Sequence, residues 1–230
     1  MLRTLLSHRT QMDASHLTSA LTAAAGALLA DRSPANLTLG AEVAGAFRLT
    51  NLASALERVL RAGLSGTPPT VNPPALAALR ALREIEAGPL DVFETIIRQG
   101  RPAAARDAAL GALGASRAPD APERLVALVP TLAPAARQRA LERITSTPAG
   151  ARALLTALRQ GAVPETTIGL LAADRLRVVL PDDPEVSALW RRLGGDAAPS
   201  DAPPPLTPGA AAELAAKFTR YTALANAPQG

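Results

Sequence analysis

The chain has 230 residues and a formal charge of +4, is 48% hydrophobic and 19% charged, and carries no cysteine and only 2% aromatic residues. Without cysteine it can build no disulfide scaffold, iron–sulfur cluster, cysteine-based zinc site or covalent c-type haem. Its Leu and Val content exceeds that of a wholly disordered chain, and so few aromatic side chains make no stacking platform for single-stranded nucleic acid.

The isoelectric point of about 10.8 comes from arginine, since Lys217 is the only lysine. Acidic residues are interspersed among the arginines, whereas a nucleic-acid binder concentrates its basic residues on one stripe. The densest group is Arg137, Arg139 and Arg143, followed by Arg152 and Arg159. Dispersed charge of this kind reads as solvated helix faces, so a nucleic-acid partner is not expected. No apolar run approaches the ~18–20 residues of a membrane span; the longest extends from Ala23 to Ala30. The opening MLRTLLSHRTQMD is interrupted by polar residues, against a secretory leader.

In chain order, Leu17, Leu21, Ala24 and Leu28 recur at three- and four-residue steps and predict a first helix. Ser33-Pro34 breaks it, and a second helix is expected from Ala41 to Arg48. A third places Leu52, Leu56, Val59 and Leu60 on one face and ends near Gly63. The Pro- and Gly-rich stretch from Gly66 to Pro74 reads as a loop. Its Asn72 suits an N-cap, with Pro73 at the first helical position.

From Pro73 a repeat emerges. Ala78-Leu79-x-x-Leu82 returns as Ala109-Leu110-x-x-Leu113 and again as Ala140-Leu141-x-x-Ile144, and Arg106 and Arg137 keep the same 31-residue spacing. A second apolar helix follows each copy. It is carried first by Val92, Phe93, Ile96 and Ile97, next by Leu125, Leu128, Val129 and Leu132, and last by Leu154, Leu155 and Leu158. Two short amphipathic helices per unit at this period predict a HEAT-like α-solenoid, a right-handed superhelix of helix pairs.

Beyond Gly161-Ala162-Val163-Pro164 a helix is expected through Leu170, Leu171, Leu176 and Val179, and a short one through Val186, Leu189, Trp190 and Leu193. The solenoid therefore spans 1–193. Residues 194–208, with five prolines, form an extended linker. Residues 209–230 hold an accessory helix and tail; Leu214, Phe218, Tyr221 and Leu224 share a face of that helix, which must pack back onto the body or onto another molecule.

No catalytic constellation is legible. His8 and His16 lack a metal-ligand pattern, and there is no nucleophile elbow, Walker A loop or Gly-x-Gly-x-x-Gly. Gly111-x-x-Gly114 reads as close helix packing or a C-cap. Asp182, Asp183 and Glu185 read as caps of the following helix, and Glu84, Glu86, Asp91 and Glu94 as carboxylates without partners for acid–base work. Trp190 reads as an anchor of the last helix. No catalytic, cofactor or metal residue is assigned. The residues expected to meet a partner are Arg98, Arg124 and Arg159 on or near the second helices, with Trp190 and the Phe218/Tyr221 stripe.

The order Leu154-Leu155-x-x-Leu158-Arg159-x-Gly161-x-Val163-Pro164, then Leu171-x-x-Asp174-Arg175-Leu176, then Asp182-Asp183-Pro184-Glu185-Val186 and Arg220-Tyr221-x-x-Leu224 resembles one known family. It is similar to the HEAT-like region of the planctomycete- and verrucomicrobia-type membrane-bound dehydrogenase / haem-binding domain proteins. In that family a dehydrogenase-like β-propeller precedes the helical repeats and a cytochrome c domain follows them. The resemblance covers 101–226 best and extends towards residue 17. It implies a periplasmic, non-enzymatic spacer or protein-interaction scaffold that holds neighbouring domains, here without the propeller and without the Cys-x-x-Cys-His motif. It also implies that these residues come from a longer chain. Two other classes stay open: a nucleic-acid-binding HEAT domain of the alkyl-purine glycosylase type, and a HEAT-like lyase. The first would need a basic groove with aromatic residues, and the second a polar constellation in a concavity.

Overall fold

A computed structural model describes residues 2–7 and 17–195. The linker beyond Gly195, the accessory helix with Phe218 and Tyr221, and both histidines lie outside the described residues. Those described are mostly helical: α1 (Leu2–Ser7), α2 (Thr18–Leu29), α3 (Pro34–Ala46), α4 (Ala53–Ala62), α5 (Pro73–Glu84), α6 (Leu90–Gln99), α7 (Ala103–Ala115), α8 (Ala121–Leu128), α9 (Pro134–Ile144), α10 (Pro148–Arg159), α11 (Leu170–Val179) and α12 (Pro184–Arg192). A two-residue antiparallel ladder, β1 (Leu64–Ser65) with β2 (Thr70–Val71), closes the turn before α5 and pairs Leu64 with Val71. None of these helices is long and apolar enough to cross a membrane.

Proline sets many of the helix starts. The ring pre-forms φ and removes a donor that the first turn could not use. Pro34, Pro73, Pro134, Pro148 and Pro184 all open helices. The expected break at Ser33-Pro34 is therefore also a start: α3 begins at Pro34, seven residues before the expected Ala41. The Asn72 cap is formed, its Oδ1 accepting the N–H of Ala75 at 2.9 Å. Asp183 caps α12, accepting from Glu185 and Val186 at 2.9 and 3.4 Å. Two helix ends turn through residues with left-handed φ that are not glycine. Arg48 follows α3 and Glu86 follows α5, with φ of 49° and 58°. The next N–H in each returns to the last helical turn, Leu49 to the Ala44 carbonyl and Ala87 to the Leu82 carbonyl. This is the helix-closing geometry usually given to glycine, and Gly161 and Gly194 occupy it after α10 and α12.

Helices pack in sequence. α3 lies on α2 and α5, α5 also on α4 and α7, α7 on α6, α8 and α9, and α8 on α6, α9 and α10. The repeated positions are what hold this together. Ala78, Leu79 and Leu82 of α5, Ala109, Leu110 and Leu113 of α7, and Ala140, Leu141 and Ile144 of α9 are all buried. The apolar residues of α6, α8 and α10 join them, with Phe93, Ile96, Leu128 and Leu154 fully enclosed. Each such side chain contributes ~1.5–3 kcal/mol by leaving water. Alanine and glycine at the contacts bring helix backbones together. A Cβ on Gly45 of α3 would stand 2.9 Å from the Ala81 Cα of α5.

The helix expected through Leu170, Leu171, Leu176 and Val179 is α11. Leu176 and Ala173 are buried, but Leu170 and Leu171 are 45% and 76% exposed. Among the described residues α11 packs on α10 and α12, and its apolar residues point two ways.

Candidate interaction surface

The arginines expected to meet a partner already have carboxylates. Glu94 of α6 receives both Arg98, one turn on, at 3.4 Å and Arg124 of α8 at 2.9 Å. Arg124 also holds Asp120 at 2.7 Å. The hydrogen bond from Arg124 lowers the Asp120 carboxyl below its usual range, and the bonds to Glu94 and then Asp120 raise the guanidinium. Further along, Arg61 of α4 bonds Glu57 at 2.9 Å and reaches Asp91 of α6 at 3.4 Å. Arg159 of α10 pairs with Glu185 of α12 at 3.0 Å.

Four of the long-range bridges cross similar sequence separations, while Arg192–Glu165 crosses 27 residues. Arg61–Asp91 and Arg124–Glu94 join residues 30 apart, Arg117–Glu86 31 apart and Arg139–Asp107 32 apart. Arg175 of α11 reaches Glu142 of α9 at 3.5 Å. The helices so joined are α4 to α6, α6 to α8, α7 to α9, α9 to α11 and α10 to α12. Carboxylates that seemed isolated in sequence, Glu86, Asp91 and Glu94, are the acceptors of these bridges. Arg106 and Arg137, also 31 apart, do a second job: each donates to a carbonyl in the turn before its own helix, Gly100 at 2.8 Å and Leu132 at 3.0 Å.

Trp190 is half-buried on α12. The Arg177 guanidinium of α11 lies 4.1 Å from its ring centroid, within cation–π range. The Gly195 backbone folds against the indole so closely that any side chain there would overlap the ring. The tryptophan thus closes the α11–α12 pair and leaves part of its edge in solvent. On the face of α12 turned to α10, a small groove of about 160 Å³ lies between Arg159, Glu165, Glu185 and Arg192.

The sequence reading looked to the second helices and missed a larger concavity on α3, α5 and α7. This groove, about 930 Å³, has a floor of small residues, Ala41, Gly45, Ala77, Ala81 and Ala108, and a rim carrying Arg48, Arg80, Arg83, Glu42, Glu84 and Asp107. The signal that could have found it is the run of alanines on the side of α5 and α7 away from the leucine stripe. The rim balances three cations against three anions, so it favours no single sign of ligand. Gly111 and Gly114 belong to close packing and not to a cap: both lie inside α7, where a Cβ would press on Arg83 and Arg143 at 3.2 and 3.3 Å. Among the described residues no three His, Cys, Asp or Glu side chains converge as a metal site. No family model, no curated protein sequence and no solved structure matches this chain.

Proposed function

We propose that this chain is a non-enzymatic scaffold or inter-domain spacer, built as a HEAT-like α-solenoid, whose task is to hold protein partners at a set separation. The observation that carries the reading is the ladder of ion pairs at separations of 30–32 residues. Arg61–Asp91, Arg124–Glu94 and Arg139–Asp107 each tie a helix to the next but one in the chain, as stacked units of a solenoid would place them. The stacking of α5 on α3, α7 on α5 and α9 on α7 supports it, as does the burial of all three copies of the Ala-Leu-x-x-Leu/Ile motif. The resemblance to the helical region between a dehydrogenase-like propeller and a cytochrome c domain suggests which neighbours a spacer of this kind would hold apart, in the periplasm.

The test reads the source DNA beyond the Gly230 codon and assays the chain for duplex DNA binding. A frame that reaches Cys-x-x-Cys-His within roughly a hundred codons, the size of a small domain, makes the chain an internal spacer of a haem-bearing protein. A stop codon with no linked partner removes that setting. Duplex binding at about 50 mM salt that weakens steeply as salt rises would replace the scaffold reading with a nucleic-acid-binding one.

A further inference from the structure

The stacking of first helices changes at α11. Between α9 and α11 lies an open groove of about 420 Å³, lined by Pro134, Arg137, Leu141, Leu170, Leu171 and Ala172 among others. The Arg175–Glu142 bridge spans the two helices at 3.5 Å. Leu171 and Val178, seven residues apart on one face of α11, are 76% and 77% exposed, an unusual place for large aliphatic side chains on a helix that is otherwise amphipathic. The Nε of Arg137 is buried without a hydrogen-bond partner among the described residues.

What could cover this face is close at hand. The described chain leaves α12 at Gly195, and α12 packs on α11. The Pro-rich residues 196–208 can span ~40 Å at ~3.1 Å per residue, well beyond the ~15 Å length of α11. They lead to the stripe Leu214, Phe218, Tyr221 and Leu224, which as a helix is also ~15 Å long. Glu213 stands one residue before this stripe.

We propose that residues 209–226 of this same chain dock as a helix onto the α9–α11 face, sealing Leu170, Leu171 and Val178 and capping the helical array from within. The claim does not depend on the spacer reading. It puts the Phe218/Tyr221 stripe on the molecule's own body and withdraws it from partner binding.

The test is hydrogen exchange on the full chain at two protein concentrations, with light scattering for mass. In the wild type, amides of 209–226 and α11 are protected at both concentrations in a monomer. Leu171→Asp and Phe218→Asp each cut the protection of 209–226 by about tenfold or more, while α5 to α8 exchange as in wild type. Leu171 is exposed and Phe218 lies outside the described core, so neither change burdens folding of the body. Free-peptide exchange of 209–226 in the wild type overturns the proposal. So does protection that Leu171→Asp leaves unchanged, which means docking elsewhere. Protection that grows with concentration alongside a dimer assigns the face to a second copy, and also overturns it.

Discussion

Arg124 on α8 reaches back thirty residues to Glu94 on α6, Nη1 to Oε1 at 2.9 Å, and finds Arg98 already on the other carboxylate oxygen at 3.4 Å. One anion therefore serves two cations from successive helix pairs. Its side chain is only 17% exposed, while those of the arginines are 51% and 42% exposed. Glu94→Gln should lower the urea midpoint, because two guanidinium groups lose their shared counter-charge. The gap from wild type should narrow as salt is raised, since screening weakens the attraction being removed. Arg124→Gln should cost a comparable amount, because it takes a partner from Glu94 and also the one that Asp120 bonds at 2.7 Å. Paired urea melts at low and high salt decide it; a loss that ignores salt would place Glu94's role in packing.

Two glycines inside helices should respond to alanine with opposite signs. Alanine favours a helix interior over glycine by ~1 kcal/mol. At Gly26 the new methyl meets only the Leu52 side chain at 3.6 Å, an ordinary contact, so Gly26→Ala should raise stability by roughly 0.5–1 kcal/mol. At Gly45 it would strike the α5 backbone at Ala81. Forcing the helices apart costs ~1–3 kcal/mol and outweighs the propensity gain. Thermal melts of the two variants give the answer, and a stabilised Gly45→Ala would mean that α3 and α5 can separate freely.

Leu110 and Leu113 occupy corresponding core steps of α7 but differ in what surrounds them. Leu113 is sealed, whereas Leu110 borders a groove with Ile97, Ala136 and Leu132. Truncation to alanine should cost ~2 kcal/mol at Leu110 and nearer 4–5 kcal/mol at Leu113, since a site open on one side can relax or admit water. Denaturant unfolding of the pair measures the difference; equal losses would show that the groove gives no relief.

Asp31 organises the turn between α2 and α3. It accepts the N–H of Ser33 at 2.9 Å, the Asn36 side chain at 2.6 Å and the N–H of Arg32 at 2.5 Å. These bonds, that from Ser33 foremost, hold its carboxyl below the ordinary range. A carboxyl depressed in the folded state stabilises fully above its unfolded value, and that contribution fades as pH falls through the folded one. Stability should therefore drop on acidification below about pH 4, and Asp31→Asn should flatten part of that acid limb. Carbon-13 titration of the Asp31 carboxyl provides the direct reading, and an unshifted midpoint would remove the turn from the acid response.

The leucine stripes and the caps were legible in sequence because each depends on neighbours within one or two helical turns. Apolar side chains at three- and four-residue steps bury one face wherever a helix forms. So Leu79 and Leu82, Leu110 and Leu113, Leu141 and Ile144 were placed correctly by spacing alone. Asn72 and Asp183 were readable for the same reason. Pro34 was misread because one residue type both ends and begins helices, and the sequence does not show which. The pairs Arg61–Glu57, Arg98–Glu94 and Arg124–Asp120 follow the four-residue helix spacing and were open to a sequence reading, but the bridges between helices were not. Whether Arg124 serves a partner or Glu94 depends on how far the next helix pair is rotated and shifted, and a charge thirty residues away leaves no local pattern. The face of α11 belongs to the same class: Leu170 and Leu171 carry the mark of a core, yet no described helix covers them. Local periodicity determined which residues seek burial in this protein, and the packing of one helix pair on the next decided which of them obtain it.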